Sequence, residues 1–434
     1  MISPDVVTIR PARSVRGLVR VPGDKSISHR ALMLAALARG RSEVTGLAPG
    51  EDVRATLECV RRLGVTVSPA RTGAGPALDM HVDGTGLPAF VTPREGLDAA
   101  NSGTTSRLMM GVLAGGRVEV TLSGDASLQR RPMRRVVDPL ERMGALIRLT
   151  DGRLPAVVCG RPLTGIDYEM PVASAQVKSA ILLAALSARG ETTVRESRAT
   201  RDHTELALRT FGAIVHTTPG IIRVAGGQIL APARIAVPGD PSSAAFWACA
   251  AAALPGSDVE VAGVGLNPTR TGFLDVLRRF GAEVDVEMLP AAGPEPVGQI
   301  RVRPGDVRPV VISPEEVPGL IDELPVLAAL ATHGGQLSVS GAEELRVKES
   351  DRISALAAGI RAMGGRIEEA PGGFVIDGSR PLRGGEVDAA GDHRLAMAFA
   401  IAALGARGET VIRGAAVVAV SYPGFFETLD GLRA

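Results

Sequence analysis

The sequence predicts an α/β protein with two domains, each built from three βαβαββ units around buried helices. Three observations lead to this prediction. The chain of 434 residues is too long for one ordinary hydrophobic core, and six of its segments repeat one pattern. The first helix of each repeat is apolar on nearly every side. Such a helix must be buried, so we expect these six helices inside the domains.

Each repeat has a small polar or glycine start, an Ala/Leu-rich helix, a glycine break and then a short strand. In chain order, the repeats cover residues 23–46, 101–124, 174–197, 239–263, 322–341 and 391–414. One unit alone cannot cover both sides of its apolar helix. The units are therefore expected to pack in groups, three to a domain.

A second, amphipathic helix follows in at least five units and leads into another strand. These stretches cover residues 52–67, 133–149, 204–215, 273–286 and 354–369. Glycines at positions 64, 144, 212 and 281 follow four of these helices, where glycine permits the left-handed backbone that closes a helix. Each unit is therefore predicted to have the order β-α-β-α-β-β.

Composition and charge exclude several classes of function. The net charge is +1 and aromatic residues make up only 3% of the chain, so no nucleic-acid partner is expected. The longest apolar runs, such as residues 244–254, are too short to span a bilayer, and the first residues do not resemble a secretory signal. We therefore expect no membrane partner.

The cysteines and histidines indicate the compartment and argue against a metal. The three cysteines have no CxxC spacing, which favours the reducing cytoplasm and argues against a zinc site. The six histidines form no HxH or HExxH pair, so no metal is expected.

Lysine is rare in this chain. Of 48 basic residues only Lys25, Lys178 and Lys348 are lysines, and each lies in a polar stretch at or just inside a predicted helix start. Lysine carries a compact charge with a tunable pKa, whereas arginine is a planar fork. Lys25 and Lys348 are therefore candidate functional residues. The alternative is compositional drift that left three lysines by chance, and it is favoured for Lys178, which lies a turn inside its helix.

The starts of the six buried helices are predicted to attract anions. A helix N-terminus has free N–H donors and a partial positive charge, so several such starts that converge form an anion site. Ordinary N-capping explains any one start. It explains less well why several starts carry more polar groups than a cap needs.

The motifs at these starts, in this order, resemble the 5-enolpyruvylshikimate-3-phosphate (EPSP) synthase family. They are VPGDKSISHRALMLAALA (21–38), NSGTTSRLM (101–109), RRPM (130–133), SAQVKSA (174–180), TRDHTE (200–205), GDPSSAA (239–245), IDELPVLA (321–328), LRVKESDR (345–352) and GDHRLAMA (391–398). Any one motif is weak evidence, but their joint order and spacing are specific.

The resemblance implies a two-domain inside-out α/β barrel with the active site in the cleft between the domains. One domain covers residues 23–237, and the other covers 1–22 with 238–434. The implied reaction joins the enolpyruvyl group of phosphoenolpyruvate to the 5-hydroxyl of shikimate-3-phosphate and releases phosphate. It has no redox step, so no cofactor is expected. The implied protein is a cytoplasmic monomer whose partners are these two small molecules.

The resemblance also assigns roles to individual residues. The residues implied to bind shikimate-3-phosphate are Lys25, Ser26, Arg30, Ser174, Ala175, Gln176, Arg201, Asp322 and Lys348. Those implied to bind phosphoenolpyruvate are Lys25, Asn101, Gly103, Arg131, Gln176, Arg352 and Arg394. The implied catalytic residues are Lys25, Asp322, Glu349 and His393.

Some assignments rest on the resemblance alone. The residues by themselves do not separate Asp322 from its neighbour Glu323, which is also a candidate helix cap. Some family members carry a lysine just before the last aromatic-Pro pair, where this chain has Val420. Gly103 is implied to leave room for glyphosate, the family's phosphoenolpyruvate-competing inhibitor.

Two alternatives remain open. The enolpyruvyl transferase that acts on UDP-N-acetylglucosamine shares the fold and the phosphoenolpyruvate chemistry. That family, however, has KNA in place of KSISHR and a catalytic cysteine, whereas residues 110–135 here contain no cysteine. The second alternative is a non-catalytic protein that binds an anionic metabolite. It is disfavoured because the implied acid, base and arginine residues are all present.

Overall fold

The computed structural model describes residues 4–70, 78–291 and 293–433. Within these residues the chain divides into two compact units. The 23–237 unit also includes residues 293–295, and the 238–433 unit also includes residues 4–22. Each unit has its own hydrophobic core.

Fourteen α-helices lie within the described residues. They are α1 Lys25–Leu37, α2 Glu51–Arg62, α3 Gly103–Ala114, α4 Ala126–Gln129, α5 Arg134–Arg142, α6 Ala175–Ala185, α7 His203–Thr210, α8 Pro241–Ala253, α9 Gly272–Phe280, α10 Val317–Leu320, α11 Leu324–Ala331, α12 Arg352–Ala362, α13 His393–Ala403 and α14 Phe425–Leu432. No helix in this part of the chain is long and apolar enough to cross a membrane.

Twenty-three β-strands lie within the same residues. They are β1 Val6–Ile9, β2 Arg16–Val19, β3 Arg39–Leu47, β4 Thr66–Pro69, β5 Leu78–Thr85, β6 Leu97–Asp98, β7 Glu119–Ser123, β8 Leu146–Thr150, β9 Arg153–Cys159, β10 Asp167–Glu169, β11 Glu191–Arg195, β12 Val215–Thr218, β13 Ile221–Ala225, β14 Arg234–Ala236, β15 Asp258–Gly265, β16 Glu283–Leu289, β17 Val297–Arg303, β18 Val310–Ile312, β19 Gln336–Val339, β20 Arg366–Ala370, β21 Gly373–Asp377, β22 Gly385–Asp388 and β23 Thr410–Arg413.

The six apolar helices form the cores, as predicted. In the 23–237 unit they are α1, α3 and α6, and in the 238–433 unit they are α8, α11 and α13. Every residue of α11 and of α13 is buried. Small residues allow close packing of these helices. A Cβ atom on Gly111 of α3, for example, would lie 2.2 Å from the carbonyl oxygen of Ala180 in α6.

The strands form one sheet for each repeat. Five sheets have four strands, with the orders β14-β3-β5-β4, β6-β7-β9-β8, β10-β11-β13-β12, β16-β17-β15-β2 and β18-β19-β21-β20. In each of these sheets one edge strand pairs in parallel with its neighbour, and the other pairings are antiparallel. This is the predicted βαβαββ unit.

Two features of the sheets were not predicted from the local pattern. Strand β14 ends the 23–237 stretch yet pairs with β3 at its beginning, and β2 pairs with the distant β15. The sixth sheet has only three strands among the described residues, in the order β1-β23-β22. There β1 pairs antiparallel to β23, so this unit departs from the predicted β-α-β-α-β-β order.

The amphipathic helices end as the glycine pattern predicts. Gly64, Gly144, Gly212 and Gly281 have φ values of +90°, +103°, +80° and +100°. This left-handed backbone closes the preceding helix at little cost only for glycine. The helices therefore stop at these residues, and the chain turns into the next strand.

Candidate active site

Lys25 is the first residue of α1, and its ammonium group faces a carboxylate. The Lys25 Nζ atom lies 3.1 Å from Oδ2 of Asp52 in the first turn of α2. Both side chains are mostly buried, with 15% and 7% of their surface exposed. Asp24 caps the helix by accepting a hydrogen bond from the backbone N–H of Ile27 at 2.8 Å. Sequence reasoning did not single out Asp52.

Arg30 joins three elements of the 23–237 unit. Its Nε donates to Thr204 Oγ1 and its Nη2 to Ser179 Oγ, both at 2.7 Å, while its Nη1 donates to the Ser26 carbonyl at 2.8 Å. Burial lowers the pKa of Arg30 to about 10, a shift that nearby acids oppose and the charge of Arg201 reinforces. Arg30 therefore stays charged at neutral pH and ties α1 to the starts of α6 and α7.

The starts of α3 and α6 are joined through Gln176. Arg107 Nη1 donates to Gln176 Oε1 at 2.6 Å, and Gln176 Nε2 donates to Thr104 Oγ1 at 3.0 Å. Ser174 is the N-cap of α6, and Ala175 is the first residue of that helix. Arg107 was not predicted as a site residue.

Gly103 lies against two guanidinium groups. Arg131 Nη2 donates to Asn101 Oδ1 at 2.7 Å, and Asn101 Nδ2 donates to Asp125 Oδ2 at 2.7 Å. A Cβ atom on Gly103 would lie 3.2 Å from Nη1 of Arg107 and 3.2 Å from Nη1 of Arg131. Any side chain at this position must therefore displace these guanidinium groups by a few tenths of an ångström.

In the 238–433 unit, Asp322 faces two arginines. Its Oδ1 lies 3.5 Å from Arg352 Nη1 and 3.5 Å from Arg394 Nε, and its carbonyl accepts a hydrogen bond from Arg394 Nη1 at 2.9 Å. Asp322 lies in the turn between α10 and α11 and not within a helix.

Arg352 organises three carboxylates. Besides Asp322, it donates to Glu349 and, through Nε, to Asp392 Oδ2 at 2.7 Å. The side chain of Arg352 is only 1% exposed. Burial would lower its pKa, but Asp392, Glu349 and Asp322 outweigh that effect and raise the pKa above the usual range. A permanently charged guanidinium therefore holds Glu349 and Asp322 near one another.

Lys348 lies four residues before α12. The sequence predicts a position at or just inside a helix start, and the structure does not place it there. It ends a short 3₁₀ turn, Glu343–Val347, and is partly buried. Loss of hydration lowers the pKa of Lys348 to about 8, although Asp322 opposes the shift. Its ammonium group therefore loses its charge as the pH rises through about 8.

Glu323 belongs to a separate buried cluster. Its carboxylate accepts a hydrogen bond from Ser242 at the start of α8. Arg270 Nη2 donates to Ser242 Oγ at 2.8 Å and lies 3.2 Å from Asp240 Oδ1. Glu323 occupies the N-cap position of α11 but makes no capping hydrogen bond with its side chain, so the predicted capping role is wrong. The carboxylate reaches α8 instead.

His393 and Val420 complete the predicted positions in this unit. His393 is the first residue of α13 and is 1% exposed, and Asp392 caps that helix by accepting from the backbone N–H of Arg394 at 2.9 Å. Val420 ends a second 3₁₀ turn, Ala415–Val420, and is 7% exposed. The structure thus has a buried apolar side chain at this position.

Lys178 is part of a buried ion cluster. Its Nζ lies 2.8 Å from Glu205 Oε1 and 3.2 Å from Glu196 Oε1. Lys178 and Glu205 are 1% and 2% exposed. Burial raises the pKa of Glu205, and Lys178 opposes the rise. These buried ion pairs indicate a structural role for Lys178, which chance retention of a lysine does not explain.

The predicted residues thus divide into one set in each unit, and most of them lie at or near helix starts. We call the two sets the 23–237 cluster and the 238–433 cluster. The 23–237 cluster contains Lys25, Ser26, Arg30, Asn101, Gly103, Arg131, Ser174, Ala175, Gln176 and Arg201, and the 238–433 cluster contains Asp322, Lys348, Glu349, Arg352, His393 and Arg394. No group of His, Cys, Asp and Glu able to hold a metal occurs among the described residues.

We compared the chain with models of known protein families. The family model for EPSP synthase (3-phosphoshikimate 1-carboxyvinyltransferase) matches residues 9–429. The chain belongs to the EPSP synthase family. The resemblance seen in the sequence motifs is thereby confirmed.

Individual relatives agree with this EPSP synthase assignment. The chain is 50% identical over 418 residues to a 3-phosphoshikimate 1-carboxyvinyltransferase of Acidithiobacillus ferrooxidans, covering 96% of this chain and 95% of the relative. An EPSP synthase structure from Acinetobacter baumannii is 41% identical, with a TM-score of 0.85 and coverage of 99% and 98%. The enolpyruvyl transferase NikO from Streptomyces tendae shares the fold, at 20% identity with a TM-score of 0.80 over 98% and 97% of the two chains.

Proposed function

We propose that this protein transfers the enolpyruvyl group of phosphoenolpyruvate to the 5-hydroxyl of shikimate-3-phosphate and releases inorganic phosphate. The observation that carries the proposal is the match to the EPSP synthase family over residues 9–429. The site chemistry supports it, because each unit has cationic side chains at or near helix starts. Two anionic substrates require such groups, together with an acid and a base.

In this proposal the 23–237 cluster binds the phosphate and ring of shikimate-3-phosphate. Ser174, Ala175 and Gln176 offer hydroxyl, backbone and amide donors at the start of α6, and Arg30 and Arg201 supply positive charge. Support comes from Arg30, which is buried yet charged and bonded to both neighbouring helices.

Arginine side chains are proposed to bind phosphoenolpyruvate. Arg131, beside Asn101 and Gly103, and the pair Arg352 and Arg394 neutralise its phosphate and carboxylate. Arginine suits this task because its planar fork donates two parallel hydrogen bonds to an oxyanion. Lys25 is proposed to contact both substrates as a compact point charge.

Asp322 and Glu349 are proposed to move the protons, with His393 as a further catalytic residue. A proton adds to the methylene carbon of phosphoenolpyruvate, and the 5-oxygen bonds to the adjacent carbon while its proton passes to Asp322. The tetrahedral ketal phosphate then loses a methyl proton, and its carbon–oxygen bond to phosphate breaks. Glu349 is assigned to the transfer of protons to and from the methylene carbon. The contacts of Arg352 with both carboxylates support this pairing.

We also propose that the protein acts as a monomer in the cytoplasm. All three cysteines are free in the structure, as expected in a reducing compartment. Sedimentation of the purified protein tests whether it is a monomer. One chain has a mass of 44.9 kDa, and a dimer would have twice that mass.

A phosphate-release assay tests the proposed reaction against its nearest alternative. The protein is incubated with phosphoenolpyruvate and either shikimate-3-phosphate or UDP-N-acetylglucosamine. Release that requires shikimate-3-phosphate supports the proposal. Release with UDP-N-acetylglucosamine alone would overturn it, and the absence of cysteine from residues 110–135 argues against that outcome.

A further inference from the structure

Four buried polar side chains connect α1, α2 and the start of α3. His29 Nδ1 lies 2.7 Å from Thr56 Oγ1, which lies 2.6 Å from Thr105 Oγ1, and Thr105 Oγ1 donates to Ser102 Oγ at 2.7 Å. All four residues are 0% exposed. We call these four hydrogen-bonded residues the relay. Burying polar groups is costly unless they are hydrogen-bonded, so the members of the relay depend on one another.

The relay runs beside the Lys25–Asp52 ion pair. His29 lies four residues after Lys25 on α1, and Thr56 lies four residues after Asp52 on α2. Residues four apart lie on one face of a helix. The ion pair and the His29–Thr56 contact therefore form two successive links between the same two helices. The His29–Thr56 contact therefore lies one helical turn from the ion pair that holds the Lys25 ammonium group.

The other end of the relay is the start of α3. Ser102 caps this helix by accepting from the backbone N–H of Thr105 at 3.0 Å, and it lies between Asn101 and Gly103. The Thr105 hydroxyl also lies 3.4 Å from the carbonyl oxygen of Asp52. One threonine thus contacts both the helix cap and the residue that pairs with Lys25.

The contacts are compatible with one direction of hydrogen donation along the relay. When Thr105 donates to Ser102 Oγ, Thr56 donates to Thr105 and His29 Nδ1 donates to Thr56. His29 Nε2 has no hydrogen-bond partner within the described residues, and an unpaired acceptor costs less there than an unpaired N–H donor. Burial, helped by Lys25 and Arg30, holds the pKa of His29 well below its usual range, so the ring is neutral.

We propose that His29, Thr56 and Thr105 are positioning residues that hold the Lys25 ammonium group and the start of α3 in a fixed arrangement. None of the three is assigned to contact a substrate. Their effect passes through Lys25, Asn101 and Gly103, so this inference rests on the proposed function.

The test compares three threonine variants of the full chain. Thr56→Val keeps the shape but removes the hydroxyl that both neighbours use, and Thr56→Ser restores a hydroxyl. Thr192→Val is the matched control, because Thr192 is 0% exposed in the same unit and its hydroxyl has no partner among the described residues. Each variant is assayed for thermal unfolding and for kcat and KM with both substrates.

We expect Thr56→Val to lower kcat by ~10–100-fold, the range for a slightly misplaced catalytic group, with smaller changes in KM. Thr56→Ser should recover most of that loss, and Thr192→Val should match the wild type. Equal kcat in Thr56→Val and Thr192→Val would overturn the positioning role. An inactive wild type would instead reject the proposed function.

Two further measurements keep the inference testable if Thr56→Val does not fold. The first is the His29→Leu variant, which removes the first member of the relay and keeps every hydroxyl. The same loss of kcat is expected, and an unchanged kcat would contradict the proposal. The second is ¹⁵N NMR of His29 in the wild type, which should show a neutral ring with a hydrogen bond at Nδ1. A ring that is charged at neutral pH, or an Nδ1 atom without a hydrogen bond, would overturn the relay.

Discussion

Asp322 and Glu323 are consecutive residues, yet their carboxylates have different partners. Asp322 lies 3.5 Å from both Arg352 and Arg394, whereas Glu323 accepts a hydrogen bond from Ser242 in a cluster with Arg270. The Asp322 side chain is 16% exposed and Glu323 is 1% exposed. Asp322 is therefore the better candidate for proton transfer, and Glu323 is structural.

The first prediction separates these two acids. Asp322→Asn keeps the shape of the side chain but removes its basicity, so we expect kcat to fall by ~10²–10⁴, with substrate binding largely retained. Glu323→Gln keeps an oxygen that accepts from Ser242, so its kcat should fall much less. Steady-state kinetics of both variants measure the two losses of kcat. Equal losses of kcat would contradict the assignment.

A second prediction concerns Lys178. Lys178→Met leaves Glu205 and Glu196 buried beside no ammonium group, so the free energy of unfolding should fall by roughly 3–5 kcal/mol. The loss should shrink as the pH falls, because a protonated Glu205 needs no cation. Urea unfolding at two pH values measures both effects. Normal stability with lost turnover would show that Lys178 is functional and not structural.

The third prediction is a pH dependence set by Lys348. Because its pKa is about 8, the free protein loses this positive charge as the pH rises through 8, and kcat/KM for shikimate-3-phosphate should fall there. Lys348→Arg stays charged, so its kcat/KM should hold to higher pH even if its value at neutral pH is lower. Identical alkaline limbs in the two proteins would rule out Lys348 as the group responsible.

The lowered pKa of Lys348 also has a consequence for stability. In the unfolded chain the pKa of this lysine is ~10.4. Between pH 8 and that value the unfolded state therefore binds more protons than the folded state. The contribution of Lys348 to stability therefore rises with pH across this window. Lys348→Met should lack this rise, which unfolding measurements on either side of pH 8 detect.

Glyphosate inhibition provides a prediction for Gly103. A methyl group there would press on Arg107 and Arg131, and it would intrude more on an inhibitor longer than phosphoenolpyruvate than on phosphoenolpyruvate itself. Gly103→Ala should therefore weaken competitive inhibition sharply and raise the KM for phosphoenolpyruvate less. Gly431→Ala, in open space on α14, is the control. Equal inhibition of wild type and Gly103→Ala would show that Gly103 does not set the pocket size.

The sequence predicted the parts of this protein that depend on local pattern. The apolar helices, and the glycines that follow the amphipathic helices, recur from unit to unit. The burial of these apolar helices and the left-handed backbone of these glycines therefore followed from the residues alone. The pairing of β14 with β3 and of β1 with β23 was not predictable from pattern, because these strands are far apart in the chain. Strand partners depend on the folded unit as a whole.

The same limit applies to the site. Lys25 was found because lysine is rare here, but its partner Asp52 is one of many acids at a helix start. Arg107 was hidden among the many arginines, and its contact with Gln176 and its place beside Gly103 distinguish it. Asp322 and Glu323 are equivalent in the sequence, and the turn before α11 directs them to different partners. Residue type and spacing thus identified the motifs, whereas partner choice required the fold.

The most direct test of the account follows phosphorus by ³¹P NMR. Wild-type protein is mixed with equal amounts of phosphoenolpyruvate and shikimate-3-phosphate. The account predicts that both starting resonances decline together while inorganic phosphate and one new phosphate ester appear in equal amounts. Starting resonances that persist unchanged, in a sample shown to bind shikimate-3-phosphate, would contradict it and indicate a binding protein without catalysis.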